Sequence, residues 1–214
     1  MKKVLITGFD PFGKDQVNPA LEAIKQINEK TFEHVKIVTE EIPTVFHESL
    51  KVAIKSIEVH QPDVVICIGQ AGGRTQITPE RVAINLDDAR IPDNQQNQPI
   101  DEVIIPDGPV AYWSTLPIKR IVHNMKEAGI PSAVSNSAGT FVCNHLFYGV
   151  MNYLAKNAPT VRGGFIHIPF IPEQTIHNQA PSLSLDMIVK ALEIAAITAA
   201  NEGEDIREVG GTIC

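Results

Sequence analysis

VVICIGQ, at Val64 to Gln70, carries no polar side chain before its terminal glutamine. A strand with one wet face alternates apolar and polar residues. An unbroken apolar run of this length is the pattern of a strand covered on both faces, as in a sheet with helices above and below it. Gln61-Pro62-Asp63 punctuates the chain just before it. Upstream, Phe46, Leu50, Ile54 and Ile57 recur at helical spacing and predict a helix over about 45–59. Val35, Ile37 and Thr39 alternate as a strand. Before them Asn18 caps a helix that has Pro19 at its first position and Leu21, Ile24 and Ile27 on its buried face. Val4 to Phe9 is a further short strand, and the order to Gln70 is βαβαβ.

Downstream the pattern loosens. Residues 71–99 hold one expected strand, Arg81 to Leu86, between two long polar loops, and loops of that length in a compact domain tend to carry function. A helix is expected from Pro117 to Ala128, stopped by Gly129, then a short strand at Ala133 to Ser135. GGFIHIPF at 163–170 is another strand, PEQTIHNQAP a loop, and Ser184 the cap of a last helix to about Ala200. Alternating strands and helices predict an α/β fold: a three-layer α/β/α sandwich with a mostly parallel, partly mixed central sheet. Neither a composition shift nor a linker divides the 214 residues, so one domain is expected over 1–214, with 203–214 as a flexible tail.

Apolar residues make up 43% and charged residues 20%, which suits a packed globular chain. The net charge of −7 disfavours nucleic acid and anionic membranes, because both need clustered Lys and Arg. The apolar run Val4 to Ile6 is too short for a signal peptide or a membrane span. Three widely spaced cysteines form neither a disulfide framework nor a zinc pattern, which points to a reducing cytoplasm. Neither TGFDPFG nor GQAGGR matches a nucleotide-binding fingerprint. The seven histidines, His34, His47, His60, His123, His145, His167 and His177, show no pair at ligand spacing around a carboxylate. No cofactor and no metal are expected.

SAGTFVCNHLFYGVMNYL, Ser137 to Leu154, places Cys143 where a turn of small residues becomes a helix whose stripe is Leu146, Phe147, Val150, Tyr153 and Leu154. Unpaired backbone N–H groups and the positive end of the macrodipole favour a thiolate in a first helical turn. Cys67, inside an apolar strand, and Cys214, at the terminus, lack that setting. A thiol nucleophile needs an imidazole and an acceptor that orients it. His167, near the end of its strand, and Glu80, in the loop beyond Gln70, are of those types. Residue type and spacing leave the packing alternatives open: a buried cysteine, a core histidine, a solvated loop carboxylate.

The chain resembles the pyrrolidone-carboxylate peptidase (pyroglutamyl peptidase type I) family in blocks that keep that family's order nearly to Ala200. They are TGFDPFGKDQVNP at 7–19, PTVF at 43–46, GQAGGRTQITPERVAIN at 69–85, ARIPDN at 89–94, AGTFVCNHLFYG at 138–149 and GGFIHIP at 163–169. The resemblance implies a cysteine peptidase that removes amino-terminal pyroglutamate from peptides, with Glu80, Cys143 and His167 as its triad. It also implies the α/β/α fold and a homotetramer. On the same similarity Phe9 and Phe12 bind the ring, with Thr44 and the backbone at Phe141 and Val142 beside them. Arg90 would stabilise the oxyanion or hold the carboxylate network, and Gln70 would assist. A flat, neutral lactam suits a pocket of aromatic walls without a carboxylate. Two other readings compete. One is a nucleoside phosphorylase-like transferase, which needs a phosphate site and finds only Arg74, Arg81 and Arg90 scattered. The other is a non-enzymatic thiol redox or ligand-binding module.

Overall fold

The computed structural model describes residues 1–13, 15–201 and 203–211, so Cys214 lies outside the described residues. In chain order the elements are β1 (Lys2–Phe9), α1 (Pro19–Ile27), β2 (Thr31–Phe32), β3 (Val35–Ile42), α2 (Glu48–His60), β4 (Val64–Gln70), β5 (Thr78–Pro79) and β6 (Val82–Ile84). They continue with β7 (Ala111–Trp113), α3 (Ile118–Glu127), α4 (Val142–Asn157), β8 (Arg162–Ile168), α5 (Pro172–Thr175) and α6 (Leu185–Asn201). One sheet runs β2-β3-β1-β4-β8-β5, and β6 and β7 form a separate antiparallel ribbon. β3, β1, β4 and β8 are mutually parallel, while β2 and β5 are antiparallel edges, so the sheet is mostly parallel and mixed.

Side-chain alternation sorts the continuous apolar strands into two cores. Val4, Ile6, Val64, Ile66, Ile68, Ile166 and Ile168 face α1, α3 and α6. Leu5, Val65, Cys67 and Phe165 face α2 and α4. This is the sandwich that the unbroken run at 64–70 predicts. On β8 the period of two puts His167 on the same face as Phe165, toward α4.

Asn18 caps α1 by accepting from Ala20 N at 3.0 Å, and Ser184 Oγ accepts from Met187 N at the start of α6, as the sequence predicts. The expected helix over 45–59 instead starts at Glu48, because residues 43–47 form tight turns. The strand expected at 81–86 shortens to Val82–Ile84. Ala133 to Ser135 is not a strand: Ser132 and Ser135 make only single bridges, to Ile77 and Glu80. Prolines and small polar residues there leave too little continuous pairing for a ladder. Within the stretch read as a tail, Asp205 accepts from Lys119 N and Arg120 N at 3.0 and 2.9 Å, and so caps α3, whose own N-cap is a proline without a side-chain bond.

Candidate active site

At the carboxyl ends of β4 and β8, α4 begins with its first turn uncapped: Phe141 is the N-cap, no side chain bonds there, and no acidic residue occupies the turn. The first N–H groups of a helix have no intrahelical acceptor, so they point at whatever lies before it. Cys143 is the second residue of α4, and its sulfur rests on Gly69. A Cβ at Gly69 would sit 2.9 Å from Cys143 Sγ and 2.7 Å from the Phe165 ring. Gly69 is the parallel register partner of His167, and neighbouring strands lie about 4.8 Å apart. The sulfur and the imidazole are therefore side by side on one face of the sheet.

Behind the imidazole the series continues. β5 runs antiparallel to β8 with Thr78 opposite His167, which brings Glu80 up beside the ring. His167 Nδ1 donates to Glu80 Oε1 at 2.7 Å, and the two residues are 4% and 0% exposed. That bond turns Nε2 toward the thiol. Arg74 Nη1 donates to the same Glu80 oxygen at 2.6 Å, and the guanidinium also binds Thr78 Oγ1 and Ser137 O.

Burial works against charge at each of these groups, and the partners decide the result. Burial raises the Glu80 carboxyl, but the bond from His167 and the charges of His167 and Arg74 outweigh it, so its pKa falls below the usual range. His167 is lowered, burial outweighing the support of Glu80, so its resting ring is neutral. Burial pushes the Cys143 thiol up to about 12, with the Glu80 charge adding and Arg74 opposing. Burial at this sulfur therefore opposes the preference of a helix start for a thiolate. A sulfur packed on Gly69 beside a buried carboxylate loses more solvation than the uncapped turn returns. Cys67 is also pushed to about 12 by burial and is fully enclosed.

The other expected site residues separate into two groups. Phe12 is half-buried, 6.2 Å from the ring of Phe141, and Phe141 meets Phe46 edge-on at 5.4 Å. These rings pack together at the start of α4, with the buried Phe46 behind Phe141. Thr44 is buried just before Phe46 in the chain: its N–H donates to Asp10 Oδ1 at 2.7 Å and its hydroxyl to Asp10 O. Val142 is fully buried in α4. Phe9 is 2% exposed and packs on Phe165 at 6.4 Å, so in this structure it lies in the core beneath the site. Gln70 is engaged elsewhere: its amide donates to Asp15 Oδ2 at 3.0 Å and accepts from Gln174 at 2.8 Å, tying the loop that carries Phe12 to α5. Arg90 is exposed and is not part of the hydrogen-bonded series. Arg74 is on Glu80 and Arg81 on Asn136 and Gly210 O, so the three arginines do not converge on a phosphate site.

Arg74, Gly69, Phe46 and Phe165 are site residues that the sequence reading passes over. Phe165 lies 4.7 Å from the His167 ring, centroid to centroid. Their period-two spacing on β8, 165 and 167, and the GQAGGR turn were the available signals. Among the described residues no group of three or more His, Cys, Asp and Glu could hold a metal ion.

A thiol, an imidazole and a carboxylate in series at the start of a helix, on an α/β/α sandwich, are the equipment of a cysteine peptidase. A family model described as pyroglutamyl peptidase matches residues 2–202. The pyrrolidone-carboxylate peptidase of Bacillus subtilis (strain 168) is 63% identical over 212 residues, covering 99% of each chain. A crystal structure of pyroglutamyl peptidase I from Bacillus amyloliquefaciens superposes with a TM-score of 0.96 at 62% identity, covering 97% of this chain and 99% of that one. A mutant pyrrolidone carboxyl peptidase of the hyperthermophile Pyrococcus furiosus does so with a TM-score of 0.90 at 40% identity, over 92% of this chain and 97% of that one. The chain belongs to the pyroglutamyl peptidase family.

Proposed function

We propose that this peptidase hydrolyses the amide bond after an amino-terminal pyroglutamyl residue with Cys143 as nucleophile, His167 as proton carrier and Glu80 as the group that orients His167. The observation that carries the assignment is the continuous series Cys143 Sγ on Gly69, His167 beside Gly69, and His167 Nδ1 on Glu80 at 2.7 Å.

The protonation states at rest, a thiol and a neutral imidazole, set the order of steps. As the sulfur attacks the pyroglutamyl carbonyl, its proton passes to His167 Nε2, and the imidazolium is stabilised by the ionised Glu80. The carbonyl oxygen gains charge against the uncapped N–H groups of α4. Collapse breaks the C–N bond, and Nε2–H gives its proton to the leaving amine. The pyroglutamyl thioester that remains is attacked by water, whose proton goes to Nε2 and then back to sulfur as the acid departs. Thioacyl transfer at a raised thiol pKa keeps the nucleophile silent until a carbonyl is docked beside it.

Specificity follows from the rings. Phe12 and Phe141 offer apolar faces to a flat lactam, backed by the buried Phe46, with Thr44 and the backbone near Phe141 and Val142 as polar partners, and a charged α-ammonium would lose its solvation there. Phe9 supports this pocket from below, and Gln70 holds the loop that carries Phe12. We assign the chain to one domain in a cytoplasmic homotetramer: Val110 and Trp113, 85% and 67% exposed on and beside β7, supply apolar surface for contacts between copies. No helix among the described residues is long and apolar enough to cross a membrane.

The test is fluorophore release from a pyroglutamyl amide. Cys143→Ala and prior iodoacetamide should each abolish it while the fold is kept, and Cys67→Ser should retain it. A folded Cys143→Ala protein turning over at the parental rate refutes the assignment.

A further inference from the structure

A second histidine–carboxylate pair lies on the other side of α4. His145 and Asp87 are 0% and 3% exposed, and His145 Nδ1 is 2.7 Å from Asp87 Oδ2. On the far edge of the ring, Nε2 accepts from the backbone N–H of His47 at 3.0 Å. A backbone N–H can only donate, so Nε2 is unprotonated and the ring is the neutral Nδ1–H tautomer, with Nδ1–H donating to Asp87 Oδ2. The pair does not reach Cys143, and the proposed chemistry makes no use of it.

Its backbone partner is one of seven non-glycine residues with positive φ among the described residues. His47 has φ +61° and ψ −45°, a region that residues with side chains rarely enter, and Glu48 N donates to Phe46 O across it at 2.7 Å. That is a γ-turn of the disfavoured hand. Such a conformation persists only where its surroundings hold it. Here three side-chain acceptors grip consecutive parts of one short segment: Asp10 takes the N–H of Thr44, Asp93 that of Phe46 at 2.9 Å, and His145 that of His47. The Phe46 ring stands edge-on to both Phe141 and His145, at 5.4 and 5.5 Å.

We infer that His145, oriented by Asp87, is a positioning residue for substrate specificity: it holds the γ-turn at His47 so that Phe46 backs Phe141 as the wall against which the pyroglutamyl ring packs. The inference rests on the pocket reading given above. It divides the labour at α4, with His167–Glu80 serving the thiol on one side and His145–Asp87 serving the ring pocket on the other.

Two polar variants separate the roles of the two ring nitrogens. In His145→Gln the side-chain oxygen reaches about as far as Nε2 and can still accept from His47. In His145→Asn the amide reaches only the Nδ1 position, so it can pair with Asp87 but not with His47. With a pyroglutamyl amide, His145→Asn should raise KM about tenfold or more with kcat within about threefold, as expected for loss of a binding-wall support, and His145→Gln should restore most of it. Iodoacetamide should alkylate Cys143 at the parental rate in both. An unchanged KM in His145→Asn, equal losses in the two variants, or slowed alkylation each overturns the inference. The unmodified protein gives an independent reading: nitrogen NMR should find His145 as the Nδ1–H tautomer and its signals should move when free pyroglutamate is added. An Nε2–H tautomer, or signals that ignore the ligand, overturns it as well. Failure of the parent protein to cleave the amide at all would instead refute the pocket reading on which the inference rests.

Discussion

Replacing Gly69 by alanine adds one methyl group at the point where the nucleophile rests. The new Cβ would lie 2.9 Å from Cys143 Sγ and 2.7 Å from the Phe165 ring, against an optimal carbon contact of about 3.5–4.0 Å. The Phe165 ring is packed against His167 and Phe9, and β4 is fixed between β1 and β8, so the ring edge and the sulfur must both give way. Relief requires the sulfur to move by roughly 0.6–1.1 Å, and a misplacement of about 1 Å costs on the order of 10²-fold in rate. Overpacking of this kind destabilises a fold by about 1–3 kcal/mol, which a domain of this size can absorb. Gly69→Ala should therefore remain folded by circular dichroism and lose about 10²-fold in kcat, with a smaller change in KM because the ring wall is untouched. Parental kcat in a folded Gly69→Ala protein would show that the sulfur does not depend on this seat and would refute the geometry on which the proposed mechanism rests.

Glu80→Gln and His167→Ala should each lower kcat/KM, the second by roughly 10²–10⁴-fold, and the double variant should fall little below His167→Ala alone, since an orienting carboxylate has no ring left to orient; fully additive losses remove Glu80 from the triad. With a thiol pKa raised from 9.0 to about 12, alkylation of the free enzyme by iodoacetamide should keep rising with pH beyond 9, because deprotonation supplies the reactive form; a plateau near neutrality would reveal a resting thiolate–imidazolium pair. Arg74→Met takes the guanidinium from the buried Glu80, so that carboxyl should titrate higher and the acid limb of kcat/KM should shift upward in pH; an unmoved limb separates Arg74 from the site. Phe12→Ala should weaken pyroglutamyl binding by about 1–3 kcal/mol and leave iodoacetamide reactivity unchanged, whereas an equal loss of both means that the thiol site itself has been disturbed.

The layer order was legible because strands buried on both faces leave an unambiguous mark, and Val64 to Ile68 carries it. What the sequence did not reveal was contact between distant loops. β5 is two residues long, and its place beside β8, which delivers Glu80 to the imidazole, leaves no periodic trace. Arg74 was visible as an arginine and not as a partner of a carboxylate six residues on, because the intervening turn brings them together only when β5 pairs. The opposing push of burial on Cys143 was not legible for a related reason: a helix start is local and can be read from sequence, while desolvation by Gly69 and the nearness of Glu80 are tertiary. The turn at His47 was absorbed into a predicted helix, since a strained γ-turn held from outside has no signature of its own.

In the sheet order β4-β8-β5, the last strand of the chain fills the gap between two that precede it, and Glu80 and His167 stand 87 residues apart in sequence. A chain emerging from the ribosome thus carries β4 and β5 with no neighbour between them until β8 begins at Arg162, and Cys143 appears before the strand that bears His167. Pairing over such separations is slow, because the closure entropy of the long loop precedes any reward from contacts. On the proposed mechanism peptidase activity marks completion of the fold: no fragment ending before β8 carries His167, and recovery of turnover after dilution from denaturant follows the insertion of that strand.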